Sequence, residues 1–239
     1  MSKRQIIREK RRKQQKQQRL IIIVMVVIGA LLITAAMIYP SIKPVGDVVS
    51  VPPRTFNTQV DMNSLGDPNA PVRVEVWEDF QCPACVGYSQ QIEPLLITNY
   101  VETGKVYYSF RHYPFIDSMV PTGESQQSAN ASMCAGEQGR FWDYHDIIFA
   151  NWNGENQGAY SDKRLVAFAE NIGLELTSFK TCFDQNTYAD QIAKDFADGQ
   201  AIGVTGTPSV FVNGVQVTPG FVPGYEQLAS IIDAALAGE

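Results

Sequence analysis

Val72-Arg73-Val74-Glu75-Val76-Trp77-Glu78-Asp79-Phe80-Gln81-Cys82-Pro83-Ala84-Cys85 decides the fold. Val72, Val74 and Val76 alternate with Arg73, Glu75 and Trp77, the twofold repeat of a strand whose faces meet different surroundings. From Pro83 to Val101 the pattern turns helical, and Gly104 ends it. Residues 105–111 (KVYYSFR) predict a second strand, giving a β-α-β unit with parallel strands and a right-handed crossover. Further on, residues 124–150 predict helix broken near Gly136 and Gly139. Leu165, Phe168, Ala169 and Ile172 then recur at helical spacing before Gly173. Thr187 with Asp190 resembles a capping box ahead of Ile192 and Phe196. Residues 209–212 and 215–217 are apolar runs around Asn213-Gly214, a strong hairpin signal. Leu228, Ile231, Ile232 and Ala235 mark a last amphipathic helix. The predicted order is β-α-β, a block of helices over about 117–202, then β-β-α.

Toward the N-terminus the composition changes. Residues 1–19 hold nine of the 19 Lys and Arg and a single acid, Glu9, a net +8; residues 20–39 carry no charge. Residues 40–239 hold ten basic and 24 acidic side chains, a net −14. That acidic part lacks the basic footprint of a nucleic-acid binder, so no nucleic-acid partner is expected. With 45% hydrophobic and 10% aromatic residues, disorder of the whole chain is excluded. Leu20–Tyr39 is long enough as a helix, at about 1.5 Å per residue, to span a hydrocarbon core of roughly 30 Å. A cleaved signal peptide is the alternative, since Thr34-Ala35-Ala36 loosely resembles a cleavage site. The apolar run, however, exceeds the usual signal length of about 7–15 residues. The positive-inside rule predicts a cytoplasmic tail over 1–19, an anchor over 20–39 and the remainder outside. Residues 40–66, with Pro40, Pro44, Pro52 and Pro53 and no sustained period, are expected to be a flexible linker to a domain over 67–239.

All four cysteines, Cys82, Cys85, Cys134 and Cys182, fall on the expected outer side, where disulfides persist. Cys82 and Cys85 form a C-x-x-C where a strand enters a helix. A thiolate there faces unpaired amides and the positive end of the helix dipole, and Pro83 suits the first turn. Cys82 is expected to be the exposed nucleophile and Cys85 the resolving thiol. Zinc needs about four ligands, and neither a second C-x-x-C nor a spaced histidine pair accompanies the motif; His112 and His145 are the only histidines. No metal site and no cofactor beyond the Cys82–Cys85 disulfide are therefore expected. Cys134 and Cys182 share the helical block and are expected to form a structural disulfide, two free buried thiols being the alternative.

Beyond the cysteine motif, the blocks at 66–72 (GDPNAPV), 78–85 (EDFQCPAC), 110–114 (FRHYP), 137–142 (EQGRFW) and 206–214 (GTPSVFVNG) together resemble the DsbA family. They are most similar to its membrane-anchored, BdbD-like bacterial members. The resemblance implies an α/β thioredoxin-like fold with a helical insertion, and a cis peptide at Thr207–Pro208 beside the cysteines. Thr207 would offer its backbone to a substrate strand. The implied activity is a thiol–disulfide oxidoreductase that donates disulfides to reduced, unfolded secreted proteins, acts as a monomer, and is reoxidised by a DsbB-like or VKOR-like membrane protein. A reductase or isomerase of the same superfamily, or a metal-handling C-x-x-C module, is the alternative. Some relatives carry a second disulfide in the insertion, which suits Cys134 and Cys182. Two departures stand out. Ala84 replaces the histidine of strongly oxidising members, implying a less oxidising pair. Val76 stands where many relatives have a buried carboxylate. Glu78 and Asp79 are near enough to take a proton from Cys85, but are read as the solvated end of a strand and not as catalytic.

Overall fold

One helix, α1 (Lys3–Ile42), runs through both the basic and the apolar N-terminal segments without a break at residue 20. The computed structural model describes residues 3–42, 45–120 and 123–238, in two units that divide between Val45 and Gly46. Lys, Arg and Gln are good helix formers, so the helix continues beyond the apolar stretch. Lys10–Tyr39 is long and apolar enough to cross a membrane, and none of that span is buried. Thr34 satisfies its hydroxyl on the Ala30 carbonyl at 2.9 Å, the local bond a polar group needs in hydrocarbon. An N-terminal apolar helix that fits a membrane anchor is thus part of the architecture.

The second unit is built on a six-stranded sheet. Its strands are β1 (Val60–Asp61), β2 (Ser64–Leu65), β3 (Val72–Glu78), β4 (Val106–His112), β5 (Ser209–Val212) and β6 (Val215–Gln216), in spatial order β1-β2-β4-β3-β5-β6. Central β3 pairs in parallel with β4, from Val72 opposite Val106 to Glu78 opposite His112. On its other side it pairs antiparallel with β5. The connection from β3 to β4 runs through α2 (Pro83–Gln91), α3 (Glu93–Leu96) and one π turn, Ile97–Val101. Pro94, in the first turn of α3, lacks the N–H that would continue α2 smoothly. Between β4 and β5 the described residues form six helices: α4 (Ile116–Met119), α5 (Glu124–Gly136), α6 (Phe141–Ala150), α7 (Asp162–Asn171), α8 (Leu176–Asp184) and α9 (Ala189–Ala201). A final helix, α10 (Tyr225–Ala237), completes the unit. The expected α/β thioredoxin-like fold with a helical insertion is what is found.

Alternation places the core. Val72, Val74 and Val76 of β3, with Val106, Tyr108 and Phe110 of β4, join the main apolar cluster, whereas Trp77 and Phe211 pack with Tyr113 and Val204 in a second one. Helix α5 is buried along nearly its whole length because its side chains are small and its hydroxyls bond locally. Ser128 and Ser132 donate to the Ser125 and Ala129 carbonyls at 3.0 and 2.8 Å. Gly66, at φ +104°, admits no side chain: a Cβ there would lie 2.5 Å from the Val106 carbonyl oxygen.

Two expectations need correction. Residues 46–66 are not a free linker; they strap across the folded unit. Val48, Val51, Phe56 and Met62 pack on the main core, and 60–65 add two edge strands. Val49 exchanges two 2.8 Å bonds with the Asn151 side chain, and the Arg54 amide donates to Asp143 at 2.8 Å. The strap shows no period because side chains distant in sequence, not neighbours along the chain, satisfy its backbone. The Thr187–Asp190 capping box does not form either. Tyr188 is the N-cap of α9, and the Thr187 hydroxyl donates back to the Cys182 carbonyl at the end of α8, at 3.0 Å.

Candidate active site

Four residues turn the end of β3 into the start of α2, and the helical block holds that turn. The Asp79 carboxylate accepts from the amides of Gln81 at 2.9 Å and Ile116 at 3.0 Å. Burial pushes Asp79 up to about 7 against the pull of those bonds. The Gln81 side chain donates to Ser125 at 2.8 Å and accepts from the Asn156 amide at 2.6 Å, while the Trp152 indole donates to the Gln81 carbonyl at 2.7 Å. Asp79 is thus a clamp, fixing where the next residue stands.

Cys82 is that residue. It is the N-cap of α2, with φ −72° and ψ 122°, and Pro83 opens the helix. Cys82 and Cys85 are both free thiols. Cys85 is fully buried, and Cys82, expected to be exposed, is only 5% exposed. It is covered by the loop before β5, where its thiol donates to the Thr207 carbonyl at 3.2 Å. The Thr207–Pro208 peptide is cis. The Thr207 hydroxyl, buried without another partner, favours the anion of either sulfur. Beside the pair lies a groove of about 290 Å³ lined by Ala84, residues 205–209 and residues 220–222, with Phe221 80% exposed at its rim.

The two thiols are polarised in opposite senses. The Cys85 thiol, Thr207 and the amides of Ala84 and Cys85 outweigh burial and lower Cys82 to about 6. Burial, the neighbouring Cys82 sulfur and Glu78 raise Cys85 well above the ordinary thiol value. At neutral pH this is one thiolate beside one thiol.

Glu78 and Asp79, expected at the solvated end of a strand, are both buried instead. Glu78 is 1% exposed, and among the described residues neither of its carboxyl oxygens has a conventional hydrogen-bond partner. Burial first, then the Glu93 charge, raise it well above the usual carboxylate range, while His145 and the Cys85 thiol pull the other way. Glu78, Glu93 and His145 bring their side-chain polar atoms within 4.8 Å of one another. Glu93 accepts from Arg54 Nη1 at 2.8 Å and from the Tyr108 hydroxyl at 3.3 Å, and faces His145 Nε2 at 3.3 Å. Against burial, His145 and Arg54 lower Glu93 to about 2. Burial would lower His145, but Glu93 and Asp146 raise it to about 9. His112, by contrast, is lowered to about 3 by burial and the nearby cations Arg111 and His145. Arg54 and His145 therefore face Glu93 and Asp146, and Glu78, raised by burial and by the Glu93 charge, favours its protonated form. Glu78, Glu93 and His145 offer ligand atoms of the kind a metal ion takes, but the proton that Glu93 and Asp146 favour on His145 competes with a metal for its ring nitrogens. Elsewhere in the helical block, Cys134 of α5 and Cys182 of α8 are joined by a disulfide, with Cα atoms 5.8 Å apart.

Residues 58–234 match the thioredoxin family. A Na(+)/H(+) antiporter, NhaA 1 of Salinispora arenicola, is 32% identical over 173 residues, which are 72% of this chain. The chain spans only 24% of that antiporter's length, so the match leaves most of the longer protein uncovered. The probable disulfide bond formation protein D of Bacillus cereus is 29% identical over 168 residues, covering 70% of this chain and 75% of that protein. Among solved structures, oxidised BdbD from Bacillus subtilis superposes with a TM-score of 0.65 at 25% identity, covering 81% of this chain and all of that one. The chain therefore belongs to the thioredoxin family, with BdbD-like, DsbA-type proteins among its relatives.

Proposed function

We propose that the chain is a thiol–disulfide oxidoreductase that donates the Cys82–Cys85 disulfide to reduced, unfolded proteins outside the cytoplasm. The observation that carries this reading is the opposed polarisation of the two thiols at the start of α2, with Cys82 lowered to about 6 and Cys85 raised. The thiol of lower pKa leaves a disulfide faster, so the polarisation favours Cys82 as the leaving group when the mixed disulfide with substrate is resolved. A substrate thiolate attacks Cys82 Sγ, the Cys82–Cys85 bond breaks, and Cys85 leaves with the electron pair and takes up a proton. Glu78, a neutral buried acid beside it, supplies that proton. A second substrate thiolate then attacks the substrate sulfur of the mixed disulfide and expels the Cys82 thiolate. Two electrons pass from the substrate to the chain. The backbone at Thr207 lines up an extended substrate segment by strand addition, and the groove under Phe221 takes its apolar side chains.

The charge asymmetry of α1 supports an orientation with residues 1–19 in the cytoplasm, 20–39 crossing the membrane and the thioredoxin-like unit outside. A DsbB-like or VKOR-like membrane protein returns the pair to the disulfide. Cys134 and Cys182 serve as a staple, outside the electron path. The test is oxidative refolding of a reduced substrate by the full chain in detergent. Cys82→Ser abolishes covalent capture of substrate, whereas Cys85→Ser accumulates the mixed disulfide on non-reducing gels. Capture that survives Cys82→Ser refutes the assignment.

A further inference from the structure

Between the strap and the dithiol lies a chain of charges that none of the motifs marks. Arg54 sits on the strap, 28 positions before Cys82. Its Nη1 meets Glu93 Oε1 at 2.8 Å and its Nε meets Asp146, so the planar guanidinium bridges the start of α3 and the middle of α6. Asp146 in turn holds His145 Nδ1 at 2.9 Å, and Glu93 faces His145 Nε2 at 3.3 Å. Beyond them lies Glu78, whose two oxygens have no conventional partner, and beyond Glu78 the Cys85 thiol.

We propose that Arg54 is a positioning residue for thiol–disulfide exchange, and that the strap carrying it completes the buried charge balance that sets the protonation of Glu78 and of the Cys82–Cys85 pair. This rests on reading Cys82 and Cys85 as the reactive dithiol.

The groups around Glu78 fix the direction. From α2 come Cys85 and Tyr88, and at its N-cap stands Cys82; from α3 comes Glu93 and from α6 His145. From β4 come Tyr108, which shares the Glu93 carboxylate, and His112, which is neutral. Among these, His145 is the one cation, and it is opposed by Glu93 and Asp146. Without Arg54 the buried network carries one uncompensated negative charge. In a medium of low effective dielectric that charge raises the proton affinity of each neighbouring acid, Glu78 and both thiols included. Lysine at 54 would restore the charge but not the simultaneous grip on Glu93 and Asp146.

The experiment is the pH dependence of Cys82 alkylation by iodoacetamide in the reduced full chain in detergent, with far-UV circular dichroism as the check on folding. In Arg54→Gln the alkylation midpoint is expected to rise by about half a pH unit or more, and Arg54→Lys to recover part of the shift. In the Glu93→Gln background, where Arg54 has lost one of its two partners and His145 the carboxylate that holds its proton, adding Arg54→Gln is expected to move the midpoint less than it does in the intact chain. An unchanged midpoint in folded Arg54→Gln overturns the proposal, as does a full shift that persists in the Glu93→Gln background. Should Arg54→Gln fail to fold, Arg54→Lys decides: a raised midpoint in the folded lysine variant, which keeps the charge but loses the double grip, supports the coupling and an unchanged one overturns it. Because alkylation reads the thiol directly, this outcome is separate from substrate capture, on which the assignment of the exchange activity stands or falls.

Discussion

The chain holds two cysteine pairs that differ in nearly everything except burial. Cys82 and Cys85 are three apart, free, and set between a helix N-terminus, the Thr207 carbonyl and a cluster of buried charges. Cys134 and Cys182 are 48 apart and bridged, one helix to another, inside the helical block. Around Cys182, α8 buries Phe179 and Phe183, and Asn130 of α5 spends its amide on the Phe183 carbonyl. A buried sulfur is therefore not reactive by itself; what distinguishes the first pair is that each of its sulfurs has a different partner for its charge.

The comparison breaks most widely if the staple is removed. Closing a loop of 48 residues restricts the unfolded chain by about 4 kcal/mol in the loop-entropy account, and measured values for disulfides run from about 2 to 4. Cys134→Ala with Cys182→Ala should lower unfolding stability by that amount in a denaturant titration, without moving the alkylation midpoint of Cys82. If the midpoint moved with the stability, the two pairs would not be independent.

A second, smaller effect sharpens the other side. Glu78→Gln keeps the shape of the side chain but cannot hand a proton to Cys85. General acid catalysis by a positioned group is worth roughly a hundredfold or more. Substrate oxidation at pH 7, followed by stopped-flow after mixing the oxidised chain with a dithiol peptide, should slow by about that factor. Equal rates in the two proteins would remove Glu78 from the proton path and leave solvent as the source.

Glu78 also shows how far such features can be read in advance. Strands β3 and β4, helix α10 and the Asn213-Gly214 hairpin follow from local periods and turn residues, and the dithiol from a spacing of three. Glu78 follows from period as well: it continues the 72, 74, 76 alternation onto the buried face, as His112 continues 106, 108, 110. Its charge argued for solvent, and the alternation was the better guide. The strap was opaque for a different reason. The partners of Val49 and Arg54 are 102 and 89 residues further along the chain, and no local pattern encodes them. The Arg54–Glu93–His145 network joins three elements that only the folded sheet brings together.

The last effect is a pH window for stability, spread over several pH units and set by charges that belong to the first pair's surroundings alone. Glu93, at about 2 in the fold against an ordinary value of 4.5, binds protons less readily than in the unfolded chain. Its contribution is present above about pH 4.5 and fades as pH falls toward 2. His145, raised to about 9 from 6.5, has the opposite sign: its contribution is complete below pH 6.5 and is lost as pH rises through 9. The pair therefore stabilises the unit fully between about pH 4.5 and 6.5, and less on either side. Thermal unfolding followed from pH 4 to 9 should show the alkaline decline in the intact chain and a weaker one in His145→Gln, which has no proton to lose. Equal alkaline slopes in the two proteins would mean that the buried imidazole is neutral, and the charge balance around Glu78 would have to be drawn without it.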